Sequence, residues 1–160
     1  MGFRELTLTL ERRVYTSLRA IADRRSPLPP HLLLGERGED AAFFYLRALN
    51  YTVVARRWRS ERLNGDLDLV GWDGATLVIF EVKTRATRGL APAELSVDEH
   101  KEDMLRKMAS AYLRQIPELH RQSIAVRFDI VSVYFESGEP LIEHKRDAFP
   151  RFPPRNYRRF

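Results

Sequence analysis

Four charged side chains stand among apolar residues in the stretch GDLDLVGWDGATLVIFEVKTR, Gly65 to Arg85: Asp66, Asp68, Glu81 and Lys83. Three carboxylates beside one lysine can hold a divalent cation and manage charge at a reacting centre. An all-oxygen ligand set suits magnesium or manganese. The ammonium can stabilise developing negative charge or, once deprotonated, accept a proton. Strand residues alternate faces, so Asp66 and Asp68 share one face of a first strand, and Glu81 and Lys83 share one face of the next. Asp73-Gly74 suits a two-residue type I′ turn. That turn pairs Trp72 with Ala75, sets Asp66 opposite Glu81 and Asp68 opposite Ile79, and gathers all four charges on one surface. Carboxylates facing each other across strands repel by about 0.2–1 kcal/mol, and by more when desolvated, so a cation must compensate. The competing reading is a solvent-facing sheet edge carrying ordinary salt bridges.

Two helices direct further charges toward this hairpin. In LGERGEDAAFFYLRALNY the stripe Ala42, Leu46, Leu49 extends back to Glu39, an inward carboxylate near the helix start, where it could also interact with the helix's own N-terminus. In SVDEHKEDMLRKMASAYLRQI, Val97, Lys101, Met104 and Met108 form one stripe, with Ser96 and Glu99 as a capping box. Lys101 either snorkels past the sheet edge, the preferred reading, or reaches the carboxylates.

The elements that must position these residues read α-β-β-β-α-β, an α/β fold with a mixed sheet flanked by helices. YTVVARRWR supplies the first strand, the hairpin the second and third, SIAVRFDIVSVYF the fourth, and LIEHKRDAF an edge strand. Ahead of this body, at 35–150, lies segment 1–34. There Leu10, Val14, Leu18 and Ile21 predict an amphipathic helix over about 8–23, joined by the stiff linker SPLPP, with its apolar stripe packed on the body. The end, 151–160, is basic, aromatic and broken by proline.

The chain has 160 residues, 44% hydrophobic and 31% charged, enough for one domain with a core. It has no cysteine, which excludes disulfides, thiolate zinc sites and thiol nucleophiles. Its four histidines are scattered without metal-ligand spacing. No sustained apolar run opens it, so neither a leader nor a membrane span is expected, and the cytoplasm is the expected location. The net charge of +5 sits at the ends: six Arg against three acids in 1–34, and six Lys or Arg against Asp147 in 144–160. An acidic body with basic arms suits a polyanion gripped at the edges.

An acidic residue on a helix, then Asp, then Glu-x-Lys on a hairpin resembles the PD-(D/E)XK nuclease superfamily. GERGEDAAFFYLRALNYTVVARRWR, the hairpin, and VRFDIVSV are similar to the YraN family of bacterial proteins, relatives of archaeal Holliday junction resolvases. The resemblance covers about 35–135 and implies a restriction-endonuclease-like core. It implies Glu39 as the helix carboxylate, Asp68 and Glu81 as the metal pair with the Val82 carbonyl as a further ligand, and Lys83 as the catalytic lysine. Asp66, Arg85 and Lys101 are accessory candidates, while Arg127 and Asp129 match family-typical positions without an assigned role. Leu67 stands where the superfamily motif has proline, and Asp66 where the YraN pattern has Glu.

These features predict a magnesium- or manganese-dependent endonuclease acting on DNA in preference to RNA, including branched or structured DNA. Arg151, Arg155, Arg158 and Arg159 would hold backbone phosphates, with aromatic residues between them for stacking. A homodimer is compatible with this reading. The alternatives are a nuclease-like protein that binds nucleic acid without cutting it, and a module whose N-terminal helix docks a protein partner.

Overall fold

The computed structural model describes residues 3–25, 28–87, 97–136 and 138–153. Its elements are α1 (Phe3–Arg25), α2 (Pro30–Ala48), β1 (Thr52–Arg59), β2 (Asp66–Asp73), β3 (Thr76–Arg85), α3 (Glu99–Leu113), a single turn α4 (Glu118–Arg121), β4 (Ala125–Tyr134) and β5 (Leu141–Phe149). The five strands form one sheet in sequence order. β3 and β4 run parallel, with α3 in the crossover between them, and every other neighbouring pair is antiparallel. This is the expected α/β arrangement, a mixed sheet flanked by helices and compatible with a restriction-endonuclease-like core. Among the described residues no helix is long and apolar enough to cross a membrane.

Each face of the sheet has its own core. Ala42 and Leu46 of α2 pack with Leu69, Val78, Phe80, Val131 and Val133. Leu105, Met108 and Ala109 of α3 pack with Val70, Leu77, Ile79 and Phe128. The central strand β3 sends alternate residues to the two cores, as a strand covered on both faces must. α2 approaches β3 closely because Gly38 has no side chain; a Cβ there would lie 1.8 Å from Thr84 Oγ1.

Several element boundaries differ from the sequence expectation. α2 starts at Pro30, inside the segment read as linker, because proline fits the first helical turn, where an N–H has no helical partner. It ends at a left-handed Asn50 (φ 70°), as expected, but Leu49 is exposed and leaves the inward stripe. α3 is capped by Asp98, whose side chain accepts the Lys101 N–H; Ser96, the expected cap, lies outside the described residues. The β2–β3 turn is formed by Gly74 and Ala75, with Asp73 paired to Thr76. Gly74 has φ 58° and Ala75 is not left-handed, so glycine meets the one demand of a II′-like turn.

The largest departure is α1. Its stripe of Leu10, Val14, Leu18 and Ile21 does not pack on the body; each is 48 to 64% exposed. The helix docks through polar contacts instead. Tyr15 donates to Asp40 and its ring meets Phe44 edge-on, Arg19 pairs with Glu36 and Asp40, Arg12 with Glu139, and Glu11 with Arg47.

Candidate active site at the fork between two strands

The corrected turn moves the register by one residue on each strand. β2 and β3 pair from Asp73↔Thr76 to Leu69↔Phe80. Continued past its last pair, that register would set Asp68 rather than Asp66 opposite Glu81, whereas the expected register set Asp66 against Glu81. Beyond Leu69↔Phe80 the strands open into a fork. There the Val82 N–H is taken by Asp68 Oδ2 at 2.7 Å rather than by a strand carbonyl. In an extended strand the N–H and C=O of one residue leave by the same edge, so the Val82 carbonyl turns toward the same opening.

Glu81 is 9% exposed. Its Oε2 lies 3.0 Å from Lys101 Nζ, an ion pair whose geometry falls short of a hydrogen bond. Lys101 therefore reaches the carboxylates instead of snorkelling away. The first turn of α3, fixed by the Asp98 cap, directs its side chain at β3. Lys83 is close enough to favour the charged form of Glu81. Asp66 is half-exposed and tied to β1 by Arg59 at 3.7 Å, so it stands at the rim. Arg85, at the end of β3, is exposed, and its carbonyl accepts the Phe135 N–H.

The carboxylate pair is electrostatically frustrated. Burial first, then the charge of Glu81, push the Asp68 carboxyl up to about 8; the Val82 hydrogen bond and Lys101 oppose this, and Glu39 adds a smaller upward push. Burial likewise raises the Glu81 carboxyl, against the opposing charges of Lys101 and Lys83. Desolvated carboxylates that resist ionising gain from a further cation, which favours their charged forms.

Among the described residues no three His, Asp or Glu side chains converge on one point. The oxygen donors at the fork are two carboxylates and a main-chain carbonyl. That set fits magnesium, which keeps several waters and binds through one or two carboxylates plus substrate phosphates. Glu39 does not join the pair. Its Oε2 accepts from Arg57 Nε, and Arg57 Nη1 donates to Glu36 Oε1 at 2.6 Å. The sequence reading missed both Arg57 and Glu36, because ARRWR offers several arginines without a period that singles one out, and Glu36 lies off the inward stripe of α2.

Arg127 and Asp129 belong to a separate buried network. Asp129 accepts from Arg127 Nε and Nη2 at 2.8 and 3.0 Å and from the Asp147 N–H at 2.9 Å, and it lies 2.9 Å from His144 Nε2. Asp147 is left-handed (φ 50°) where the β4–β5 register shifts, which turns its N–H onto the carboxylate. Of the basic tail, Arg151 stacks over Phe152 and its Nη1 lies 3.4 Å from the Ile124 carbonyl. Arg155, Arg158 and Arg159 lie outside the described residues.

Residues 38–133 match the model of the "Uncharacterised protein family UPF0102". The chain belongs to the UPF0102 family. A UPF0102 protein of Koribacter versatilis is 46% identical over 121 residues, covering 76% of this chain and 82% of that one. One from Solibacter usitatus is 46% identical over 115 residues, covering 72% and 84%. One from Geobacter sulfurreducens is 39% identical over 118 residues, covering 73% and 88%. The expected YraN membership is thereby borne out, since UPF0102 is that family. The UPF0102 match spans Glu39, Asp68, Glu81, Lys83 and Lys101 and leaves out α1 and the basic tail.

Proposed function

We propose that this UPF0102 protein is a metal-dependent endonuclease that hydrolyses phosphodiester bonds in DNA, with branched or structured DNA among its candidate substrates. The observation that carries the reading is the Asp68–Glu81 pair: a partly buried and a buried carboxylate at a strand fork, the first with its proton held up to about 8, beside a main-chain carbonyl and two lysines.

Asp68, Glu81 and the Val82 carbonyl would hold magnesium or manganese. When bound, such a cation supplies Lewis-acid stabilisation of charge on the scissile phosphate. The Val82 N–H fixes the Asp68 carboxylate, and Lys101 fixes that of Glu81. Lys83 stabilises negative charge on the phosphoryl oxygens, or accepts the proton of the attacking water when it is itself deprotonated. Water contributes its oxygen to phosphorus, the bond to the leaving sugar oxygen breaks, and that oxygen gains a proton. The basic arms hold neighbouring phosphates and give affinity without sequence preference.

The test is incubation of labelled linear duplex, single-stranded, flap and four-way-junction DNA, and of RNA, with magnesium, manganese or EDTA. Cleavage in a metal arm that disappears in EDTA and in Glu81→Ala supports the proposal. The Lys101–Glu81 contact favours a second reading, because an ammonium already neutralises one of the two carboxylates. Tight binding with no cleavage in any metal arm would select that reading, a nucleic-acid-binding protein on the same fold.

A further inference from the structure

We infer that Arg57 is a phosphate-contacting residue at the mouth of the fork, held in place by Glu36 and Glu39, and that Glu39 acts by positioning it. This rests on the reading of the fork as a nucleic-acid site.

Three non-glycine residues have positive φ among those described. Asn50 closes a helix, and Asp147 turns an amide onto a buried carboxylate. Arg57, at φ 49°, does neither. It lies within β1 between Arg56↔Leu69 and Trp58↔Leu67, one strand away from Asp68. A left-handed arginine in a strand is strained, so its surroundings must hold it there. Two carboxylates of α2 do so, Glu39 taking Nε and Glu36 taking Nη1.

The arrangement leaves part of the guanidinium for another partner. Nη2 meets no acceptor among the described residues. The Arg57 side chain is 37% exposed, while those of Glu36 and Glu39 are 19 and 17% exposed. Arginine is thus gripped from the protein side and open on the solvent side. A planar guanidinium anchored along one edge presents its remaining N–H groups at a fixed angle, which suits a phosphate oxygen. The pairing of Arg56 with Leu69 and of Trp58 with Leu67 brackets Arg57 alongside Asp68 and places the clamp next to the carboxylate pair. A phosphate held by Arg57 would therefore neighbour the fork.

Glycine adopts φ 49° without strain, so Arg57→Gly removes the guanidinium and leaves the backbone path intact. The experiment measures binding of a fluorescein-labelled four-way junction, with EDTA present to suppress cleavage, by anisotropy across a salt series. Parent, Arg57→Gly and Arg57→Lys are compared, with melting temperatures recorded alongside. The expected result is a roughly tenfold loss of affinity for Arg57→Gly at low salt and a salt slope shallower by about one ion, with Arg57→Lys restoring the slope but not the full affinity. A slope and affinity equal to the parent's in a folded Arg57→Gly protein overturns the inference and leaves the nuclease reading standing. A parent that binds neither this junction nor linear DNA or RNA overturns both.

Discussion

Asp68 Oδ2 accepts the Val82 N–H at 2.7 Å across two strands whose own ladder ends at Leu69↔Phe80. A side chain here stands in for a strand carbonyl. The amide stays satisfied, while the fork stays open at the point where Glu81 and Lys83 leave β3. Opening a sheet normally leaves polar groups without partners, and Asp68 removes that penalty for one of them. The same carboxylate is driven toward protonation by its surroundings, so it serves the backbone at the expense of its own charge.

That tension separates stability from function at Asp68. Asparagine preserves an acceptor oxygen for the Val82 N–H without the buried charge. Each unit by which the folded-state pKa exceeds its unfolded value is worth about 1.4 kcal/mol, and this excess weakens the fold as pH rises from the ordinary carboxylate range toward 8. Asp68→Asn should therefore melt no lower than the parent at neutral pH in EDTA, yet lose manganese binding in titration calorimetry and lose cleavage. Asp66→Asn, at the rim, should keep measurable metal binding. The reverse pattern would exchange the roles of the two aspartates.

Glu81→Ala should abolish metal-dependent cleavage, and Lys83→Ala should reduce it by at least about a hundredfold, the scale of a lost general acid–base or charge-stabilising group. Both should keep the parent's circular dichroism. Full activity in both variants would trace the cleavage to another site or a contaminant.

Gly38→Ala should cost about 1–3 kcal/mol of stability, because its Cβ would collide with Thr84 across the α2–β3 contact. Thr84→Ala in the same protein should recover part of the loss. Chemical denaturation of the parent, the two single variants and the double variant in a double-mutant cycle measures the coupling.

Asp129 gives a pH signature through a network separate from the carboxylate pair at the fork. Its burial would raise its pKa, but the contacts with His144, Arg127 and the Asp147 amide outweigh that and hold it below the ordinary value of 3.8. A depressed carboxylate contributes stability that is present above its unfolded pKa and lost as pH falls through the folded one. Melting temperature should therefore drop in acid below about pH 4, and Asp129→Asn should be destabilised at neutral pH and show a shallower acid limb. An acid limb identical to the parent's would assign acid unfolding to other groups.

Truncation after Pro153 should weaken DNA binding and flatten its salt dependence while leaving the rate at saturating substrate unchanged. The segment removed holds Arg155, Arg158 and Arg159. An unchanged salt slope with a lower melting temperature would instead mean that the tail packs on the domain.

Strand and helix periodicity made much of this architecture readable in advance, since a sheet covered on both faces demands apolar strands and one-sided helices. Glu81, Asp68 and Lys101 could be singled out because each is a charge where its element requires an apolar residue. Register was less accessible. Asp73-Gly74 and Gly74-Ala75 are both workable turns, and only the paired strands decide between them. Arg57 could not be found this way, because a left-handed arginine has no sequence signature when tertiary ion pairs hold it. The α1 stripe misled for a related reason: amphipathicity gives a helix two faces without saying which one docks.

Because α1 is attached by Arg12, Arg19 and Glu11 and turns its leucines outward, the two parts of the molecule should respond in opposite ways to the medium. Sodium chloride screens exposed charges beyond about 8 Å at physiological strength, so the grip of the helix weakens as salt rises. Sulfate tightens the apolar cores. Ionic strength thus becomes a dial that sets how firmly the first helix is held while the sheet beneath it stays closed.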